Sequence, residues 1–205
     1  MKTLIAIPCM DTMPVAFVRS ILMLHFTGEI EVSFAQGSLI YDARNKLADK
    51  AIDGGFDRVL WLDSDMTFGP DLFDRLSARL DEGRGMVAGI YYTRKLPTLP
   101  VLYQELVLTG EPPDQIPEAI TCQEIPPELF RIEGCGFGAV MMETSYLAEV
   151  RSKYGLPFYP IFGFGEDIAF CYKAKTLGLP IYADGTIQCG HVGQKEFTQD
   201  DYNRR

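Results

Sequence analysis

Over roughly the first ninety residues, short apolar runs alternate with amphipathic stretches: TLIAI, PVAFVRSILMLHF, IEVSFA, DARNKLADKAID, RVLWL, PDLFDRLSARL and MVAGIYY. Short continuous apolar runs are the length of buried strands, and apolar positions recurring every three or four residues mark one face of a helix. Strand and helix taking turns in this way predicts successive β-α units, hence an α/β fold whose mainly parallel sheet is covered by helices on both faces. The punctuation agrees. Asp42 stands where the N-cap of a helix ending at Gly54 and Gly55 is expected, and Pro70 falls where the first turn of the next helix tolerates a missing N–H.

The pattern loosens across residues 96–127, which hold seven of the thirteen prolines. This stretch reads as an irregular insertion with one strand at VLYQELVL. Order returns with LFRIEG, the glycine-rich GCGFG, the apolar AVMME and a helix over 145–153. EDIAFCYKAKTLG then reads as an amphipathic helix leading to two short strands, PIYA and TIQC, before the polar QKEFTQDDYNRR. A chain of 205 residues supports one sizeable core, so a single domain over 1–205 is expected.

Composition narrows the function. The net charge of -9 leaves no basic surface for a phosphate backbone, which argues against nucleic acid as a partner. Five cysteines, an odd number without a CxxC pair, fit neither a disulfide framework nor a structural zinc site and suggest reduced thiols in a cytoplasmic protein. The apolar run from Leu4 to Ile7 stops at Pro8, too short for a signal-peptide core, and no run reaches the length of a transmembrane helix.

Four groups of residues carry chemistry. In RVLWLDSDMTF, Asp63 and Asp65 follow a buried strand, and ligands of open α/β sheets bind beyond the carboxyl ends of strands. Two carboxylates one residue apart suit a hard divalent cation that keeps positions free for substrate phosphates; a turn cap is the plainer alternative. His191, bracketed by glycines in CGHVG, is poorly placed as a core filler and is a candidate third ligand. Glu166 and Asp167 open a helix behind the aromatic FYPIFGFG, and one of them is placed to take a proton from an attacking hydroxyl. Arg44 and Asn45, expected in the first turn of the helix after the second strand, are candidates to contact phosphate, base or ribose; a solvated helix face is the alternative.

Taken in order, IAIPC, ARNKLADKA, VLWLDSDMTF, EGCGFGAVMME and GEDIAFCYKAKTLGLPIYAD with the late His191 resemble the GT-A glycosyltransferases, especially the family-2-like group with its small phage and bacterial relatives. The resemblance implies a Rossmann-like sheet, with a nucleotide-binding half over 1–95 and an acceptor- and metal-completing half over 96–205. It implies Mn²⁺ or Mg²⁺ held by Asp65 and His191, with Asp63 on the ribose or the metal shell. Pro8, Arg44, Asn45, Ser64, Gly136 and Gly138 would lie in the donor pocket, and Asp167, with Glu166 beside it, at the acceptor hydroxyl. The expected partners are a UDP- or GDP-sugar and an acceptor saccharide or other hydroxyl compound. Lys173 or Lys175 stands where the family often has Arg, and the loop CMDTMP departs from the family's polar sequence.

Two rivals remain open. LWLDSDMTF also fits a haloacid-dehalogenase-type phosphatase with Asp63 as nucleophile, although two β-α units precede it here and His191 has no role there. A non-catalytic sugar- or nucleotide-binding protein is the other. A dinucleotide-binding oxidoreductase is disfavoured because IPCMDTMP lacks GxGxxG.

Overall fold

The computed structural model of the chain describes residues 1–37, 39–111, 114–193 and 196–203. The first half alternates as expected: β1 (Lys2–Cys9), α1 (Val15–Met23), β2 (Glu29–Gln36), α2 (Ile40–Asp53), β3 (Arg58–Leu62), β4 (Met66–Thr67), α3 (Leu72–Asp81) and β5 (Met86–Ile90). The second half adds β6 (Leu102–Thr109), β7 (Ile116–Thr121), β8 (Leu129–Ile132), β9 (Gly134–Cys135), β10 (Ala139–Glu143), α4 (Thr144–Tyr154), α5 (Glu166–Thr176), β11 (Ile181–Gln188), β12 (Gly190–Val192), β13 (Glu196–Phe197) and α6 (Gln199–Asn203).

A seven-stranded sheet in the order β2-β1-β3-β10-β5-β11-β8 organises the molecule. β1, β2, β3, β5 and β11 run one way, and β10 and β8 run against them. β10, from the second half of the chain, lies between β3 and β5, so both halves share one sheet. Its central strands β3 and β5 are buried along their whole length, which is why RVLWL and MVAGI are apolar without alternation. One face packs against α1 and α3 through Phe17, Leu72, Phe73, Leu76 and Leu80. The other packs against α2, α4 and α5, with Trp61, Phe137, Phe158 and Phe170 at its centre.

Several local expectations are corrected. Leu39, not Asp42, occupies the N-cap of α2, and Asp42 falls in the first helical turn. Pro70 lies just ahead of α3, whose N-cap is Asp71, so its carbonyl is free to accept from the His25 N–H at 2.8 Å. Residues 96–127 hold a two-stranded hairpin, β6 with β7, joined by β9 into a sheet of its own. The prolines hid it: Pro117 sits in β7, which among the described residues pairs only with β6, leaving its other side an edge where a missing N–H is tolerated. PIYA and TIQC are one strand, β11, interrupted by a register shift between Ala183 and Gln188. α5 is not amphipathic: Ile168, Ala169, Phe170, Cys171, Lys173 and Ala174 are all buried because the hairpin sheet covers its outer side.

Candidate active site

The carboxyl ends of β1 and β3 open into a cleft of about 310 Å³ lined by Pro8, Cys9, Met10, Gly37, Ile40, Ala43, Arg44, Asp63, Ser64, Asp65, Glu166 and Asp167. The structure therefore brings Pro8, Arg44, Ser64, both aspartates of the Asp-Ser-Asp turn and the Glu-Asp pair of α5 to one place.

His191 joins them through backbone pairing. β12 runs antiparallel to β4, the two-residue strand that follows Asp65, with His191 opposite Met66 and the Val192 N–H donating to the Asp65 carbonyl at 2.7 Å. That ladder sets the imidazole Nε2 3.4 Å from Asp65 Oδ2. The other ring nitrogen, Nδ1, lies 2.9 Å from the Tyr92 carbonyl, which can only accept, so Nδ1 carries the proton. In the neutral ring Nε2 then points a lone pair at a carboxylate. Two electron-pair donors facing one another in this way suit a cation between them, since ligands about 2.1 Å from a shared ion lie about 3.0–3.4 Å apart. Asp65 and His191 fit a divalent metal.

Asp63 does not join that pair. Its Oδ1 accepts from Arg44 Nη2 at 2.8 Å, while Arg44 Nε donates to Glu166 at 3.3 Å. Arg44 is buried in an aromatic box of Trp61, Phe137 and Phe158, the nearest ring centre at 5.4 Å. It sits in the second turn of α2, not the first, and is not a solvated side chain; it lines the cleft, and its Nη1 makes no hydrogen bond among the described residues. Among the described residues, no group of three or more His, Cys, Asp or Glu side chains is arranged around a metal position.

Asn45 is corrected as well. It is buried, its side chain donates to the Phe158 carbonyl at 3.2 Å and accepts from the Phe158 N–H at 2.9 Å, and it does not line the cleft. Gly136 and Gly138 likewise lie outside the cleft lining. A Cβ on Gly136 would collide with the Tyr91 hydroxyl, and one on Gly138 would come within 2.8 Å of the Met66 sulfur and 2.9 Å of the Tyr91 ring. What these glycines admit is Tyr91, whose ring packs edge-on against His191 with centres 5.3 Å apart.

Sequence reading missed Arg94, just past the end of β5. It donates from Nη1 to Asp65 Oδ2 at 2.7 Å and to the Val192 carbonyl at 3.0 Å, and it is 45% exposed. Its position beyond the carboxyl end of a parallel strand was the available signal.

Electrostatics separate the three aspartates. Burial pushes Asp167 up to about 6, helped by the charge of Glu166 and opposed by Arg44. Burial also raises Asp63, against the pull of Arg44. Burial acts on Asp65 too, but the charge of Arg94, together with the hydrogen bond and charge that His191 supplies when its ring is protonated, outweighs it and holds Asp65 below its ordinary value. Four carboxyl groups against two guanidiniums leave the cleft electronegative.

No family model and no curated protein matches the sequence. Solved structures do match. A197 from STIV superposes with a TM-score of 0.68 at 21% identity, covering 98% of this chain and 92% of its own. GalNAc-T7, crystallised with UDP, GalNAc and Mn²⁺, superposes with a TM-score of 0.62 at 12% identity over 99% of this chain. The fold is of the GT-A type. The chain spans 47% of the GalNAc-T7 chain. In this GT-A fold the Asp-Ser-Asp turn and His191 meet at the carboxyl ends of the parallel strands, where open α/β sheets place their ligands.

Proposed function

We propose that this protein is a metal-dependent glycosyltransferase that moves a sugar from a nucleotide-sugar to an acceptor hydroxyl, in the cytoplasm. The observation that carries the reading is the pairing of Asp65 with His191 by the β4–β12 ladder, beside a cleft that also holds Asp167. An electronegative cleft repels a diphosphate unless a cation enters with it, which is the reason to expect metal dependence.

Asp65 and His191 would hold Mn²⁺ or Mg²⁺, and the bound ion would neutralise charge on the departing nucleoside diphosphate. Tyr91 and the Tyr92 carbonyl fix the His191 ring, so its lone pair is aimed before any ligand arrives. Arg44 ties Asp63 to Glu166 and keeps two buried like charges together on the cleft floor. Arg94 pairs with Asp65 at 2.7 Å, and with a cation on Asp65 its guanidinium would be available to the donor phosphates. Asp167, at the start of α5, accepts the proton of the acceptor hydroxyl, the role suited to a carboxyl whose pKa is raised towards neutrality. Pro8, Met10, Gly37 and Ile40 line the side of the cleft proposed for the base and ribose.

Calorimetric titration with UDP, GDP and CDP, with and without Mn²⁺, tests this. Binding of one nucleotide that requires Mn²⁺ and disappears in Asp65→Ala and His191→Ala is the expected result. No nucleotide binding, together with aryl phosphate hydrolysis that is lost in Asp63→Asn, would replace the reading with a phosphatase.

A further inference from the structure

The two ends of the central sheet are finished differently. β8 closes one end and leans on the hairpin strand β6. β2 closes the other and, among the described residues, pairs only with β1, over eight consecutive residue pairs without a bulge. Its sequence, EIEVSFAQ, has no proline and no lysine, the devices by which exposed edges are usually blunted.

The outward surface beside this edge is apolar. Parallel register places Val32 beside Ile5 and Phe34 beside Ile7, on the sheet face that α1 covers. Ile5 and Ile7 are buried there, whereas Val32 and Phe34 remain 41% and 52% exposed. On α1 itself, Val15, Val18 and Leu22 are exposed at a spacing that makes a single stripe. The opposite flank of α1 is engaged with the chain following Asp65: the Ser20 hydroxyl accepts from the Phe68 N–H, and Ala16 and Met23 border the same cavity as Thr67 and Phe68. The apolar stripe therefore lies on the other flank of α1.

We propose that a second copy of this chain covers this surface, in a two-fold dimer formed by antiparallel pairing of β2 with β2, centred on Val32. The edge is self-complementary in that register. Val32 meets Val32, Ile30 meets Phe34, Glu31 meets Ser33 and Glu29 meets Ala35, so no like charges stand directly opposite. The one carboxylate near the dyad, Glu31, already has its counter-ion in Lys50 at 2.6 Å. A dyad normal to the sheet keeps both copies of α1 on the same face as the paired Val32 and Phe34 side chains. The seven-stranded sheet becomes one continuous sheet of twice that width.

Sedimentation equilibrium of the full chain from micromolar to tens of micromolar is the test. The expected mass is that of two 23.0 kDa chains for the wild type and of one for Val32→Lys, with unchanged far-UV circular dichroism. Phe34→Glu gives the same reading should Val32→Lys fail to fold. Val32→Cys supplies a positive signature, because cross-strand partners about 4.5–5.5 Å apart are within disulfide reach and all five native thiols are buried. Mild oxidation should link the variant into a dimer. A wild type of single-chain mass over the whole range overturns the proposal, as does a dimer that persists in both Val32→Lys and Phe34→Glu.

Discussion

Asp167 carries the clearest consequence of burial acting on one side chain. With its carboxyl raised to about 6, turnover of a nucleotide-sugar should climb through pH 6 and level off above it. Asp167→Asn should lower kcat by about a thousandfold and abolish that step. The same shift runs the other way for stability. The fold favours the neutral carboxyl, so this contribution is present below the ordinary carboxylate range and is lost as pH rises through about 6. At pH 7 Asp167→Asn should therefore be more stable than wild type, by about 1–2 kcal/mol once partial solvent contact is allowed for, as denaturant titration would measure. Gly136→Ala should cost about 1–3 kcal/mol, because Tyr91 must move, and should weaken Mn²⁺ binding along with it, since Tyr91 packs on His191. Position was partly legible in the sequence: Pro8 near the end of β1, Asp65 just past β3 and the Glu166–Asp167 pair at the start of α5 line one cleft, while His191 sits within β12. Partners were not. That Arg44 would spend its charge on Asp63 and Glu166, that Asn45 would brace Phe158, and that two glycines would admit a tyrosine are facts of tertiary contact with no local trace.

Among the elements, the short β4–β12 ladder and the loop ahead of α5 set the geometry of the site. Val192→Pro removes the N–H that donates to the Asp65 carbonyl and should disrupt Mn²⁺ binding while leaving the seven-stranded sheet intact, which amide hydrogen exchange can separate. Lys173 is buried and donates to the carbonyls of Leu156, Pro157 and Tyr159 at 2.9–3.0 Å, holding the loop that Asn45 grips from the other side. Lys173→Met leaves those carbonyls without a donor and should destabilise the protein by about 3 kcal/mol. The β-α alternation was legible because strand and helix periods differ and the buried strands are short. The hairpin β6–β7 was obscured by proline, and β12 was too short to announce itself except through its histidine.

At the scale of the molecule, strand order departs from sequence order. β10 is inserted between β3 and β5, and the site closes only when β12 returns to β4. No hydrophobic pattern encodes that return, which is why the α/β class was readable and the sheet order was not. The return also has a meaning for synthesis. A ribosome delivers Asp65 well before His191, so a growing chain can bury most of its core while the proposed metal position is still half made. Chains terminated before Gly190 should retain a folded sheet by circular dichroism and yet show no Mn²⁺-dependent nucleotide binding. Competence would then arrive only with β12, so a chain released short of that strand would be folded and yet unable to take up the cation.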